Sequence, residues 1–238
     1  MPDIAILVLT YNRLEVTKKF LNLLYLNTSI PFHLFILDNG SSDGTPEYLR
    51  NELFGSKDNL QIFLEKNNLG IVKGRNKLIT EAMKIDEIDK VLILDNDQYV
   101  NKNWINNHLS FLNLGYDLVG IEGWQMRSDF YPFKKNKNQS DFFSYTGCGG
   151  MLIKREVIDK IGLFDERFFQ FFEDPDFNFR AFEYGFKIGW NYNPIITHLP
   201  HKLLNKENRK HFFESWEKFK KKWSGRRLFK LRNIFKNG

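Results

Sequence analysis

Val91-Leu92-Ile93-Leu94-Asp95-Asn96-Asp97 decides the fold: four consecutive apolar residues run straight into three polar ones, two of them carboxylates. A short apolar run bounded in this way reads as a strand buried on both faces, the signature of a parallel sheet covered by helices. The same pattern occurs earlier in the chain. Ile4 to Leu9 is a continuous apolar run that ends in Thr10-Tyr11-Asn12-Arg13, and Phe32 to Leu37 ends in Asp38-Asn39-Gly40-Ser41-Ser42-Asp43-Gly44-Thr45. Between them Glu15 to Leu26 carries Val16, Phe20, Leu23 and Leu24 at helical spacing. Pro46 suits the first position of a helix running to about Phe54. Leu60 to Leu64 reads as a strand, Lys66 to Gly70 as a loop and Ile71 to Met83 as a helix. Strands alternating with helices predict an α/β unit with a mostly parallel sheet. Ligands bind such sheets beyond the carboxyl ends of the strands, so the polar loops after Leu9, Leu37 and Leu94 are expected to share one edge.

From Gly115 to Tyr145 the alternation weakens and aromatic and polar residues mix. This stretch is read as the passage from a first half, about 1–114, to a second, about 115–201. Met151 to Ile153 is expected as a short strand, Arg155 to Ile161 as a short helix and Pro175 to Tyr184 as a longer one. Residues 202–238 form a tail with 13 Lys and Arg against 3 Asp and Glu, in a chain whose net charge is +6. The body is therefore mildly acidic. The sequence pI of about 9.2 describes the tail and does not call for a nucleic-acid partner.

The 238 residues suit one domain with an appendage, and 42% hydrophobic with 27% charged residues exclude a disordered chain. Met1-Pro2-Asp3 supplies no basic region, and Ile4 to Leu9 is too short for a signal core or a membrane span. Cys148 is the lone cysteine, which fits a reducing compartment. The expectation is a cytoplasmic protein.

Two carboxylates two residues apart at the end of a buried strand can share a cation with a diphosphate. Mg²⁺ and Mn²⁺ take oxygen ligands and keep open positions for substrate phosphates. The plainer reading of Asp95-Asn96-Asp97 is a polar turn. The surrounding motifs favour the first. Val91 to Tyr99 resembles the Asp-x-Asp segment of family 2 glycosyltransferases of the GT-A fold, among them the rhamnosyltransferase-like enzymes of cell-surface glycans. Val8-Leu9-Thr10-Tyr11-Asn12-Arg13 resembles that family's first strand and loop, and Ile36 to Thr45 its second. Asn67-Asn68-Leu69-Gly70 with Gly74-Arg75-Asn76 resembles its third. Gly150 to Arg155 and Phe172-Glu173-Asp174-Pro175-Asp176-Phe177 resemble its acceptor-side motifs. The matches keep the family's order from Ile4 to about His198.

The resemblance implies roles. Thr10, Tyr11 and Asn12 would wall the nucleotide pocket, with Arg13, Gly70 and Asn96 in the same donor-binding set. Asp38 would reach the base or ribose. Asn39 stands where many members carry a second aspartate, a departure at the base contact. Arg75 would sit near the donor. Asp95 would touch the ribose or a metal-bound water, and Asp97 would bind the metal. His198 would be a further metal or diphosphate ligand, against the alternative of an ordinary surface or core histidine. The acidic pair would supply the catalytic base, Asp174 first and Glu173 second.

Asp174 before Pro175 also reads as a helix N-cap, and a helix start favours the ionised carboxylate. On that reading the base is deprotonated at neutral pH. Asp43 reads equally as a cap for the helix that follows it. Gly147, Gly149 and Gly150 either admit a ligand close to the backbone or make a plain turn. Cys148 reads as small filler.

In the tail, Phe212, Phe213, Trp216, Phe219 and Trp223 share one helical face beside clustered lysines, and Arg226 to Lys236 repeats the mixture. One reading lays this face on an anionic membrane, holding the enzyme on the inner surface near a lipid-linked acceptor. The other docks it on the domain or on a second subunit, as in a homodimer.

The expected activity is an inverting sugar transfer from a UDP- or dTDP-sugar to a hydroxyl of a glycan, lipid-linked or protein acceptor. A nucleotidyltransferase on a similar sheet is the first rival, although Thr10-Tyr11-Asn12-Arg13 replaces its Gly-rich basic loop. A non-catalytic nucleotide- or glycan-binding module is the second.

Overall fold

The computed structural model describes residues 3–53, 59–136, 144–191, 196–199 and 206–226. The first half builds β1 (Ile4–Thr10), α1 (Leu14–Asn27), β2 (His33–Asp38), α2 (Thr45–Tyr48), β3 (Leu60–Leu64), α3 (Ile71–Ala82), β4 (Lys90–Asp95), β5 (Gln98–Val100) and α4 (Trp104–Asn113). The helix expected from Pro46 to about Phe54 is a single turn of α2 followed by a wider turn over Leu49–Leu53, and Phe54 lies outside the described residues. The second half adds β6 (Leu118–Gly120), β7 (Gly123–Met126), β8 (Pro132–Asn136), β9 (Ser144–Thr146), β10 (Met151–Lys154), α5 (Arg155–Ile161), α6 (Glu173–Glu183), β11 (Ile188–Trp190), β12 (Ile196–His198) and α7 (Lys206–Trp223).

The central sheet has seven strands in the order β11-β6-β10-β4-β1-β2-β3. β1 pairs in parallel with β2 and β4, β2 with β3, and β6 with β11, whereas β10 is antiparallel to both β4 and β6. Six strands therefore run one way and β10 runs against them. The ends of β1, β2 and β4 open at one edge, as their loops imply. β10 starts from the same edge, since Met151 pairs with Ile93, and this sets residues 147–150 beside the tip of β4.

Both faces of the sheet are buried, and alternation along one strand divides the core. Ala5 and Leu7 join a cluster with α3, α5, α6 and α7, while Ile4, Ile6 and Val8 join one with α1 and α4. Each of these β1 side chains is no more than 1% exposed. Burial of one such aliphatic side chain is worth roughly 1.5–3 kcal/mol, so β1 anchors both layers.

The tail's aromatic face docks on its own domain from Lys206 to Trp223. Phe219 and Trp223 are fully buried in the first cluster, and Trp223 stacks edge-on against Phe179 at 5.3 Å. Its indole N–H donates to Asp176 Oδ1 at 2.9 Å, and Lys222 Nζ pairs with the same oxygen at 2.6 Å. The membrane reading therefore loses Phe219 and Trp223 as anchors, whereas Phe213 of the same face stays exposed. Its second stretch, beyond Arg226, lies outside the described residues. Among the described residues no helix is long and apolar enough to cross a membrane.

Candidate active site

A cleft of about 1060 Å³ opens at the carboxyl edge of the sheet. Thr10, Tyr11 and Arg13 form one side, Asp95, Asn96 and Asp97 the floor, and Phe169, Phe171 and Glu173 the facing wall. Hydrogen bonds between strand ends fix the first side. Asn96 Nδ2 donates to Thr10 Oγ1 at 3.1 Å and to Thr17 Oγ1 at 2.9 Å. Asn39 lines the cleft with its amide engaged, since its Oδ1 accepts from Leu69 N–H at 2.8 Å and its Nδ2 donates to Asn68 Oδ1 at 2.9 Å.

Two residues expected at the donor face elsewhere. Asp38 is fully buried, and its Oδ2 accepts from Ser41 N–H at 2.9 Å, so it braces the loop beneath the cleft. Asn12 turns to the neighbouring loop, where its Oδ1 accepts from Ser42 N–H at 2.8 Å. Asp43 caps across the fold. One oxygen accepts from the backbone N–H groups of Arg13 and Leu14 at the start of α1, and the other accepts from Thr45 Oγ1 at 2.6 Å. Arg13, at φ 131°, is held in an unusual conformation by that capture.

The charged centre spans the floor. Asp97, 2% exposed, accepts from Arg13 Nη1 at 2.6 Å through Oδ2, and its Oδ1 lies 3.2 Å from His198 Nε2. β12 delivers that histidine by pairing antiparallel with β5, placing His198 opposite Gln98. The hydrogen bond to Asp97 raises the His198 pKa. Arg75 reaches from α3 to Asp95 Oδ1 at 2.9 Å and to Glu173 Oε1 at 3.1 Å, which ties the donor half to the start of α6. Asp95, Asp97 and His198 each offer one atom, all within 4.8 Å of one another. Two carboxylate oxygens with one imidazole nitrogen fit a divalent cation such as Mn²⁺ or Mg²⁺, which leaves coordination positions for phosphate oxygens.

The start of α6 corrects two expectations. The helix begins at Glu173 after Phe172. Asp174 therefore lies inside the first turn and is not its N-cap. Pro175 is tolerated one residue later, because first-turn N–H groups lack helical partners anyway. The Asp174 pKa is also raised well above the usual carboxylate range by desolvation and then by Glu173. These two outweigh the helix start, so the carboxylate is not held ionised as the sequence suggested. Glu173 is raised by desolvation too, with Arg75 opposing. Phe171 and Phe172 both have φ 65°, a strained choice for aromatic residues. Phe212 of α7 holds them, with ring centroids 5.6 Å and 5.2 Å away.

A second pocket of about 330 Å³ adjoins the floor and contains Asp174, Trp124 and residues 147–149. Of the three glycines, Gly150 makes a turn at φ 81°. Gly149 yields room to protein, since a Cβ there would lie 2.6 Å from both Asp95 Oδ2 and Gln98 Nε2. Cys148 is buried with its thiol pushed well up by desolvation, which fits filler.

Sequence reasoning did not find the far wall. Phe169 packs over Gly70, whose Cβ position would be 2.8 Å from the ring, and touches His211 of α7 at 5.3 Å. His211 and Asn208 line the cleft. The aromatic run Phe168-Phe169-Gln170-Phe171-Phe172 just before the acidic pair was the available signal.

The geometry has known counterparts. The model of glycosyl transferase family 2 matches residues 5–172. Glycosyltransferase AglE of Haloferax volcanii is 24% identical over 210 residues, covering 83% of this chain and 67% of that protein. Mannosyltransferase PcManGT from Pyrobaculum calidifontis, solved with GDP-Man and Mn²⁺, superposes with a TM-score of 0.66 at 17% identity, over 85% of this chain and 58% of that one. Residues 1–349 of S. aureus TarS with UDP-GlcNAc give 0.61 at 22% identity, over 84% and 59%. GalNAc-T7 with UDP, GalNAc and Mn²⁺ gives 0.68 at 12% identity, over 90% and 47%. The chain thus spans less than two thirds of these solved structures. With the family's model covering six of the seven strands of the central sheet, the acidic tip and the Phe171-Phe172 turn, the chain belongs to glycosyl transferase family 2 and shares the GT-A fold of those glycosyltransferases.

Proposed function

We propose that this glycosyltransferase moves a sugar, with inversion, from a UDP- or dTDP-sugar to a hydroxyl of a glycan, lipid-linked or protein acceptor. The observation that carries the reading is the convergence of Asp95, Asp97 and His198 in a cleft whose adjoining pocket holds Asp174. The Mn²⁺ complexes of PcManGT and GalNAc-T7 support a divalent metal on those three side chains. Such a metal supplies charge to offset the negative charge developing on the departing diphosphate.

The chain's own groups do the rest. Tyr11 and Asn39 would border the nucleotide. Arg13 stands beside the acidic tip, where it can add a hydrogen bond to a phosphate oxygen. Arg75 positions Asp95 and Glu173 at once, so Glu173 is pinned and poorly placed to take a proton. Asp174 is partly exposed and faces the second pocket. We assign it as the base: it accepts the proton of the acceptor hydroxyl as that oxygen bonds to the anomeric carbon. The bond from that carbon to the diphosphate breaks, and its electron pair leaves with the nucleoside diphosphate. A single displacement inverts the anomeric configuration. The raised Asp174 pKa suits a general base, which works best with a pKa near the operating pH.

The remaining membrane reading rests on charge, through exposed Lys218 and Lys221 and the basic residues after Arg226. The central test is incubation of the chain with UDP- and dTDP-sugars and Mn²⁺. Release of nucleoside diphosphate, with product of inverted configuration by NMR, is expected. Release of pyrophosphate would move the assignment to a nucleotidyltransferase. Retained configuration would remove Asp174 as base.

A further inference from the structure

The pocket beside Asp174 carries more than a proton acceptor needs. Trp124 enters it from β7, half-buried, with part of its surface on the core. Lys135 Nζ lies 5.6 Å from the Trp124 ring centroid and pairs with Glu122 Oε1 at 2.7 Å, which borders the opening with a matched pair. Among the described residues, three buried polar atoms of the lining have no hydrogen-bond partner: Nε of Arg75, the amide nitrogen Nε2 of Gln98, which is fully buried, and Oε2 of Glu173, which is 6% exposed. Leaving such a group unsatisfied costs about 1–3 kcal/mol, and buried polar groups ordinarily find a partner.

Two orphan donors, one orphan acceptor and an indole ring in a space of about 330 Å³ match a particular chemistry. Sugar hydroxyls both donate and accept, and the C–H face of a pyranose stacks on an aromatic ring. The volume is at the small end of ligand sites, near 300 Å³, which suits one or two rings. Charge narrows the choice further. Asp95, Asp174, Glu173 and Glu122 line the space, and the two basic side chains among them are already engaged by carboxylates, Arg75 by Asp95 and Glu173 and His198 by Asp97. Such a wall repels phosphate and carboxylate and accepts a neutral polyol.

We propose that this pocket binds a neutral sugar ring, the terminal saccharide of the acceptor, with Trp124 as its platform and Gln98 and Glu173 as hydrogen-bonding partners. The word acceptor rests on the transferase reading above; the sugar site itself does not. It selects a glycan over a phosphate-terminated lipid or a protein side chain as the group presented to Asp174.

The test is calorimetric binding to the full chain, in the presence of UDP and Mn²⁺, of methyl β-glucoside, methyl β-galactoside, methyl α-mannoside and N-acetylglucosamine. A phenyl phosphate and a Ser/Thr peptide are the comparators. At least one sugar is expected to bind with a millimolar or lower Kd. Trp124→Ala should weaken it tenfold or more, Trp124→Phe should fall between, and UDP binding should be unchanged in both. Should the alanine variant not fold, saturation-transfer NMR on the unaltered chain, with the sugar's C–H face as the contacted surface, carries the same decision. The proposal is overturned if none of the sugars binds, if the phosphate or peptide binds better, or if both Trp124 variants keep full affinity. Nucleoside diphosphate release is measured separately. Sugar binding without release sinks only the transferase reading, and release without sugar binding sinks only this pocket.

Discussion

The carboxylates at the tip of β4 and those at the start of α6 face one cleft and live in opposite surroundings. Asp95 and Asp97 are met by Arg75, Arg13 and His198 at 2.6–3.2 Å. Asp174 is desolvated by burial and lies near Glu173, and both push its proton affinity up. The first arrangement is built of carboxylates already engaged by basic side chains and fits a divalent cation. The second keeps a carboxyl able to take and release a proton. On the proposed assignment, one fold separates a cation-holding task from a proton-handling task by neighbours alone.

The largest effect should come from breaking the cation-holding side. Asp97→Ala is expected to lower transfer by about 10³-fold or more, and Mn²⁺ should no longer raise its melting temperature as it does for the unaltered chain. An unaffected rate in a steady-state assay would remove the metal assignment. On the other side, Asp174→Asn should lower kcat by about 10²–10⁴-fold while stabilising the fold. A gain of about 1 kcal/mol would raise the melting temperature by about 2–4 °C for a chain of this size. Calorimetry showing a fall would mean that the carboxylate is not under the like-charge and desolvation strain described.

Trp223→Phe keeps an aromatic ring and deletes the hydrogen bond to Asp176 Oδ1, which Lys222 still meets; the cost expected in denaturant unfolding is about 0.5–1.5 kcal/mol, that of one net hydrogen bond. The smallest effect is in pH. The Asp174 pKa is higher folded than unfolded, so its contribution to stability is present below the unfolded value of about 3.9 and is lost as pH rises through the folded value. With Asp174 as the proposed base, catalysis needs its deprotonated form. Stability should therefore fall while kcat/KM climbs over one window above the ordinary aspartate range. The asparagine variant should lose this opposition.

The sheet was legible because Ile4 to Leu9 and Val91 to Leu94 are apolar without interruption, a pattern that only burial on both faces explains. Asp95, Asp97 and Arg75 were legible from spacing and motif order, and all line the cleft. Asp38 and Asn12 brace neighbouring loops and are not among the lining residues, a difference that residue type alone does not carry. The helix boundary at Asp174 failed for a related reason: Asp-Pro has the chemistry of a cap, but packing of Phe172 against Phe212 and Phe219 starts the helix one residue earlier. The tail's amphipathic face was plain in the sequence. Its partner was not, since periodicity gives a stripe and not what the stripe meets.

That partner has a consequence for how the chain is made. The socket for Phe219 and Trp223 is built by Phe130, Phe168, Phe172 and Phe179, all upstream. Synthesis runs from the amino end, and upstream segments collapse first. Until the closing helix leaves the ribosome, this aromatic hollow and the buried Asp176 stand open to water. A nascent or truncated chain at that stage is a target for chaperones, and premature termination before Lys206 should give a sticky, inactive product.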